Sequence, residues 1–174
     1  MIELDIANSF RGTALCKLYR VLDLMVFTFA DAEAGKTTSL HVLCPSDLAM
    51  PQGSLFSGTM LMEPAAPQNR SAPLPDAFDL SLEPLTAQYG TQADAAIAQI
   101  NALLPKAVIH TSAFPDGRIA VSMEQGIVLR IMPNGDAAEQ WRIVQGAAFG
   151  NCSRHLIFEN GCFSVETLRH LGPS

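Results

Sequence analysis

Apolar and polar positions alternate most regularly between Asp116 and Gly161. Ile119, Val121 and Met123 are separated by Ala120 and Ser122, and Glu124-Gln125-Gly126 then reads as a turn. Ile127, Leu129 and Ile131 alternate with Val128, Arg130 and Met132 up to Pro133-Asn134-Gly135. Trp141 to Val144 and His155 to Phe158 follow, ending at Asn160-Gly161. Strand side chains point alternately to opposite faces, so such runs bury one face and wet the other. The spacing predicts a four-stranded β-meander.

The first half reads as a second strand group. Leu24 to Phe29 and Ser39 to Cys44 are apolar and β-prone, and the polar, Gly-containing stretch Asp31 to Lys36 joins them as a long-loop hairpin. Leu55 to Met62 is expected to be a third strand, while Thr13 to Leu22 fits helix and strand equally. From Glu63 to Asp76, Pro64, Pro67, Pro73 and Pro75 remove donors and fix φ, so a long loop is expected there.

Thr91-Gln92-Ala93-Asp94 has the form of an N-terminal cap, with Asp where Glu or Gln is preferred. Ala93, Ile97, Ile100 and Leu104 then share one face at helical spacing, and Pro105 ends the run. The expected fold is α+β: mainly antiparallel strands in two groups, with one central helix at about 91–104 covering the meander. One domain over 1–174 is expected, divided into a strand group at 1–62, a Pro-rich loop at 63–84, and the helix with its meander at 85–170.

Composition narrows the function classes. The 174 residues are 48% hydrophobic and 16% charged, against roughly 25% charged in average proteins, which excludes global disorder. Eleven basic and 17 acidic residues give a net charge of −6. A nucleic-acid binder needs a basic patch, and the Lys and Arg residues are scattered. An acidic surface instead favours a basic partner. The acidic Met1 to Asp5 stretch lacks the positive start of a signal peptide, and the apolar run Leu24 to Ala30 is too short to span a bilayer. A cytoplasmic protein away from the membrane is expected. Cys16, Cys44, Cys152 and Cys162 sit in or beside apolar runs, so reduced, buried thiols are expected rather than a disulfide framework.

Candidate chemistry is sparse. Ala34-Gly35-Lys36-Thr37 is a fragment of a phosphate loop, but Ala30 stands where Gly is needed and a β-prone run follows, so a turn is expected. Cys152, His155, Cys162 and His170 are four zinc-competent side chains; the last two are too far apart for a tight ligand pair, and buried cysteines with histidines at strand ends are preferred to a metal site. No Gly-x-Ser-x-Gly elbow is present, His41 and Cys44 point to opposite faces of a strand, and His110 near Asp116 has no identifiable nucleophile. No catalytic residue and no cofactor is indicated. Trp141, the sole tryptophan, is read as core ahead of interface anchor.

Ser39-Leu40-His41-Val42-Leu43-Cys44-Pro45, Asp116 to Val121, Gly126 to Pro133, Glu139 to Ile143 and His155-Leu156-Ile157 together resemble a group of small bacterial proteins. These carry a Leu-His strand ending in Cys-Pro, a central helix and a final meander with a Trp-Arg strand. That family often has Trp-Arg after Cys-Pro, whereas this chain has Ser46-Asp47, so no role for that dipeptide carries over. The resemblance implies no catalytic residues, and it implies a bacterial source, where small acidic proteins of this type include immunity proteins.

The expected function is therefore non-enzymatic protein binding, as an immunity protein that occludes a basic surface of a cognate toxin. Contacts are expected from Gln68, Asn69 and Arg70 in the long loop and from Asp136 and Glu139 near a turn. Two alternatives are a small enzyme or small-molecule binder with a pocket between the strand groups, and a homodimer formed through sheet edges.

Overall fold

The computed structural model describes residues 2–21, 24–31, 33–56, 92–135, 138–146 and 152–169. A nine-residue helix α1 (Ile2–Phe10) leads into five strands, β1 (Ala14–Val21), β2 (Leu24–Asp31), β3 (Lys36–Val42), β4 (Ser46–Met50) and β5 (Gly53–Phe56). Helix α2 (Gln92–Asn101) precedes β6 (Lys106–Ala113), β7 (Ile119–Met123), β8 (Val128–Ile131), β9 (Glu139–Gly146), β10 (Cys152–Glu159) and β11 (Cys162–Arg169). Every described ladder is antiparallel, in the order β11-β10-β9-β3-β2-β1-β6-β7-β8-β4-β5.

This sheet-dominated α+β fold matches the expected class, with two corrections. There are two short helices among the described residues, not one, and α2 packs against β1 rather than over β7–β10. The expected meander is also divided. β7 and β8 pair as foreseen, but the other neighbour of β8 is β4, while β9 pairs with β3. Beyond Asn160-Gly161 lies the unforeseen strand β11.

The sheet turns two corners. At the first, β1 meets β6 only through Ala14 with Ala107 and Leu15 with Lys106. At the second, the chain leaves one ladder for another within three residues: Leu43 N–H still donates to Gln140 O on β9 (2.9 Å), while Pro45 O already accepts from Met132 N–H after β8 (2.9 Å). The alternating inward residues thus meet in one core. Met25, Phe27 and Phe29 of β2, Leu40 and Val42 of β3, Val121 of β7, Leu129 of β8 and Trp141 and Ile143 of β9 all belong to it.

Ile2, Ile6 and Phe10 recur every fourth residue and give α1 an apolar stripe. Ile6 and Phe10 are fully buried, and Phe10 meets Phe29 edge-on at 4.8 Å between ring centroids. Glu3 and Asp5 in its first turn suit the positive end of the helix dipole. On α2, Ile97 and Ile100 are buried as the spacing predicts, and Leu104 packs on the core just beyond the helix end.

Candidate functional site

β3, β9, β10 and β11 lie side by side, and a polar cluster centred on Arg142 occupies their face turned away from Trp141. Strand alternation sends Trp141 and Ile143 inward, so Arg142 between them points out. His41 is its direct ladder partner on β3. Arg142 donates through Nε to Glu139 Oε1 (3.1 Å) and through Nη2 to Glu139 Oε2 (2.8 Å), a two-point pairing. Glu166 on β11 stands 3.9 Å from Arg142 Nη1, and the field of Glu159 also reaches this guanidinium. The hydrogen bonds from Glu139, ahead of the other carboxylates, hold Arg142 still more firmly protonated than usual.

Arg142 Nη1 also lies 3.1 Å from His155 Nδ1, and His155 Nε2 lies 2.7 Å from Ser153 Oγ. This arrangement looks like a Ser–His pair, but the proton is on the wrong nitrogen. A guanidinium only donates, so Nδ1 must accept, and Nε2 must carry the hydrogen. His155 then donates to Ser153 and cannot take its proton, the reverse of nucleophile activation. In this arrangement the hydrogen bonds of His155 orient the ring and leave the Ser153 hydroxyl its proton.

His41, half-buried at its edge, titrates below the ordinary histidine range. Burial is the main cause, followed by the positive field of Arg142 and the neighbouring His155, against a smaller opposing effect of Glu139.

At the other end of the same strands a cleft of about 350 Å³ opens beside the end of α1. A closed ring of hydrogen bonds forms one wall. Arg154 Nη2 donates to Asp5 Oδ2 (2.9 Å), Arg154 Nη1 to Gln145 Oε1 (3.5 Å), Gln145 Nε2 to Ser9 Oγ (3.0 Å) and Ser9 Oγ to Asp5 O (2.8 Å). The ring ties α1 to β9 and β10.

Of the residues singled out from sequence, the structure brings Glu139, His155 and His41 together around Arg142. Gln68, Asn69, Arg70, Asp136 and His170 lie outside the described residues, as does the Pro-rich loop. The zinc candidates do not assemble. The β10–β11 register puts Cys152 opposite Arg169 and Cys162 opposite Glu159, at the two ends of an eight-residue ladder, about 23 Å apart at 3.3 Å per residue. Nor are the cysteines buried as expected: Cys16, Cys152 and Cys162 are exposed and Cys44 alone lies in the core, whereas His155, of opposite parity to Cys152 on the strand, is buried and bonded to Arg142. Among the described residues no group of three or more His, Cys, Asp or Glu is placed to hold a metal ion.

His110 is exposed on β6 and bonds Ser112 Oγ (3.0 Å), three strands away from His41, so the two do not share a pocket. Gly35 donates to Asp31 O (3.0 Å) in a turn, and Lys36 starts β3, as the fragmentary phosphate-loop motif was expected to do. Trp141 is fully buried.

Sequence reasoning missed Glu159 and Glu166, the other carboxylates of the face. Only strand register brings them beside Glu139. Among the described residues no helix is long and apolar enough to cross a membrane. No family model, curated protein or solved structure matches this chain.

Proposed function

We propose that the protein is a non-enzymatic binder of a basic partner protein, of the immunity type in which a cognate toxin's basic surface is occluded. The observation that carries this reading is β11. It is an eight-residue strand at the edge of the sheet, with Val165 48% and Leu168 44% exposed. It contains no Pro and no bulge against β10, two of the devices that blunt an edge against strand addition, and its charged residues are Glu166 and Arg169.

Its hydrogen-bonding register follows from the turn. Asn160 (φ 48°) and Gly161 (φ 74°) form a two-residue, left-handed hairpin loop, so Cys162 and Glu159 are the closing hydrogen-bonded pair. Alternation then turns the N–H and C=O groups of Phe163, Val165, Thr167 and Arg169 away from β10. These groups are the natural docking line for an extended segment of a partner.

Charge selects the partner. Three carboxylates, Glu139, Glu159 and Glu166, act on Arg142 at the neighbouring outward face. Glu139 and Glu159 are moreover direct ladder partners, a like-charge pairing that costs stability unless a cation approaches. A second copy of this chain is a poorer occupant, because each copy brings a net charge of −6. The test is to co-express the chain with the product of the gene immediately upstream and to isolate the pair. A complex that weakens with added salt and is lost on Val165→Pro supports the reading; failure of the two to co-purify removes the immunity form of it.

A further inference from the structure

The cleft beside α1 concentrates positive charge on a chain that is otherwise acidic. Three of its 11 basic residues, Arg11, Lys36 and Arg154, line it, with Asp31 as the one lining carboxylate. Asp31 is committed to its own turn, where Oδ1 accepts the N–H groups of Glu33 and Ala34 (both 2.9 Å). Arg154 is fixed by Asp5 and Gln145 in the ring already described. Counting Asp5 with Asp31, three cations against two carboxylates leave one net positive charge.

Among the described residues Arg11 and Lys36 make no side-chain hydrogen bond, though the charge of Lys36 reaches Asp31, its ladder partner on β2. The wall is thus rigid and satisfied, while the donors at the mouth are not. We propose that this cleft binds a small metabolite through an oxyanion group, a phosphate or a carboxylate, held by Arg11 and Lys36. A guanidinium offers a planar fork and an ammonium a point charge, a combination that holds an oxyanion. The volume suits a ligand of metabolite size. The site lies at the opposite end of β9 and β10 from Glu139 and Glu159; it shares Thr167 with the β11 edge and Ser153 with the polar cluster, whereas Arg11 and Lys36 belong to the cleft alone.

Cys152 lines the same cleft and is exposed, which supplies an internal reporter. The experiment measures iodoacetamide labelling of the native protein, cysteine by cysteine, by peptide mass spectrometry, with inorganic phosphate in one arm and succinate in another. Cys16 and Cys162, exposed elsewhere, are the controls. Binding is expected to slow Cys152 about threefold once ligand reaches about twice its Kd, leaving the controls unchanged. The protection should vanish in Arg11→Ala/Lys36→Ala, both exposed positions, with Trp141 fluorescence confirming the fold. Protection by phosphate alone or by succinate alone names the oxyanion. Absence of protection by either at tens of millimolar, equal slowing of all three cysteines, or protection that survives the double substitution would overturn the proposal.

Discussion

Asn101 completes the hydrogen bonding of Leu18 in place of a strand. Its Oδ1 accepts the Leu18 N–H at 2.8 Å and its Nδ2 donates to the Leu18 carbonyl at 2.7 Å, across 83 residues of chain. β6 has left β1 by this point, since their ladder ends at Leu15. One amide side chain thus satisfies both backbone groups where the sheet turns its corner. Asn101→Ala is expected to cost about 2 kcal/mol, the typical loss when buried polar groups are stranded. Urea unfolding followed by Trp141 fluorescence measures it, and a cost near zero would mean that water replaces the amide.

A second tie across the core joins Trp141 and Gly117. The indole Nε1–H donates to the Gly117 carbonyl at 2.7 Å in the core, linking β9 to the turn between β6 and β7. Gly117 has φ +81°, and a Cβ there would collide with the Phe158 ring, itself stacked on Trp141. Gly117→Ala should therefore destabilise by about 3 kcal/mol, through left-handed strain and overpacking together. Trp141→Phe keeps most of the apolar area but strands the carbonyl, and about 1–3 kcal/mol is expected. Chemical denaturation of both variants checks the order.

The four cysteines divide three to one. Cys44 is buried in the core, and burial pushes its thiol up to about 12, while Cys16, Cys152 and Cys162 are exposed. A thiol reagent should label three sites in the native protein and the fourth only on unfolding. Prompt labelling of Cys44 under native conditions would contradict its place in the core.

His41 makes stability depend on pH below neutrality. Its folded value lies below the ordinary 6.5, so in the interval between the two the unfolded chain binds the extra proton. Stability is full above about 6.5 and declines as pH falls toward the folded value. His41→Gln should flatten that decline. Unfolding free energies at about pH 7.5 and about pH 5 test it; an unchanged slope would place the decline in other groups.

Charge on the outward face should govern encounter with a basic partner. Glu159→Lys with Glu166→Lys is expected to slow association about tenfold at low salt and to matter less at high salt. Stopped-flow association at two ionic strengths separates this from a change in dissociation.

What the sequence made legible was local. β7 is the run Ile119 to Met123 that alternation predicts, because one buried face suffices to write the pattern. The Ile97/Ile100 stripe likewise gave α2. α1 left a readable signal in Ile2, Ile6 and Phe10, though only nine residues long. β11 left little, since it is open to solvent on most of its length and carries no steady alternation. The pairing of β8 with β4 rests on contacts about 80 residues apart, which local pattern cannot encode. The same limit applies to the candidate sites. Glu139, Glu159 and Glu166 come from three strands, and Arg11, Lys36 and Arg154 from three more distant segments, so register alone gathers them.

The outward line of β11 is the central element of the binding account, and amide hydrogen exchange reads it directly. In the free protein the Phe163, Val165, Thr167 and Arg169 amides should exchange quickly, while Ser164, Glu166 and Leu168, bonded to β10, exchange slowly. In complex with the upstream gene's product the first four should become protected. A stable complex in which those four amides still exchange at their free rate would contradict strand addition at this edge.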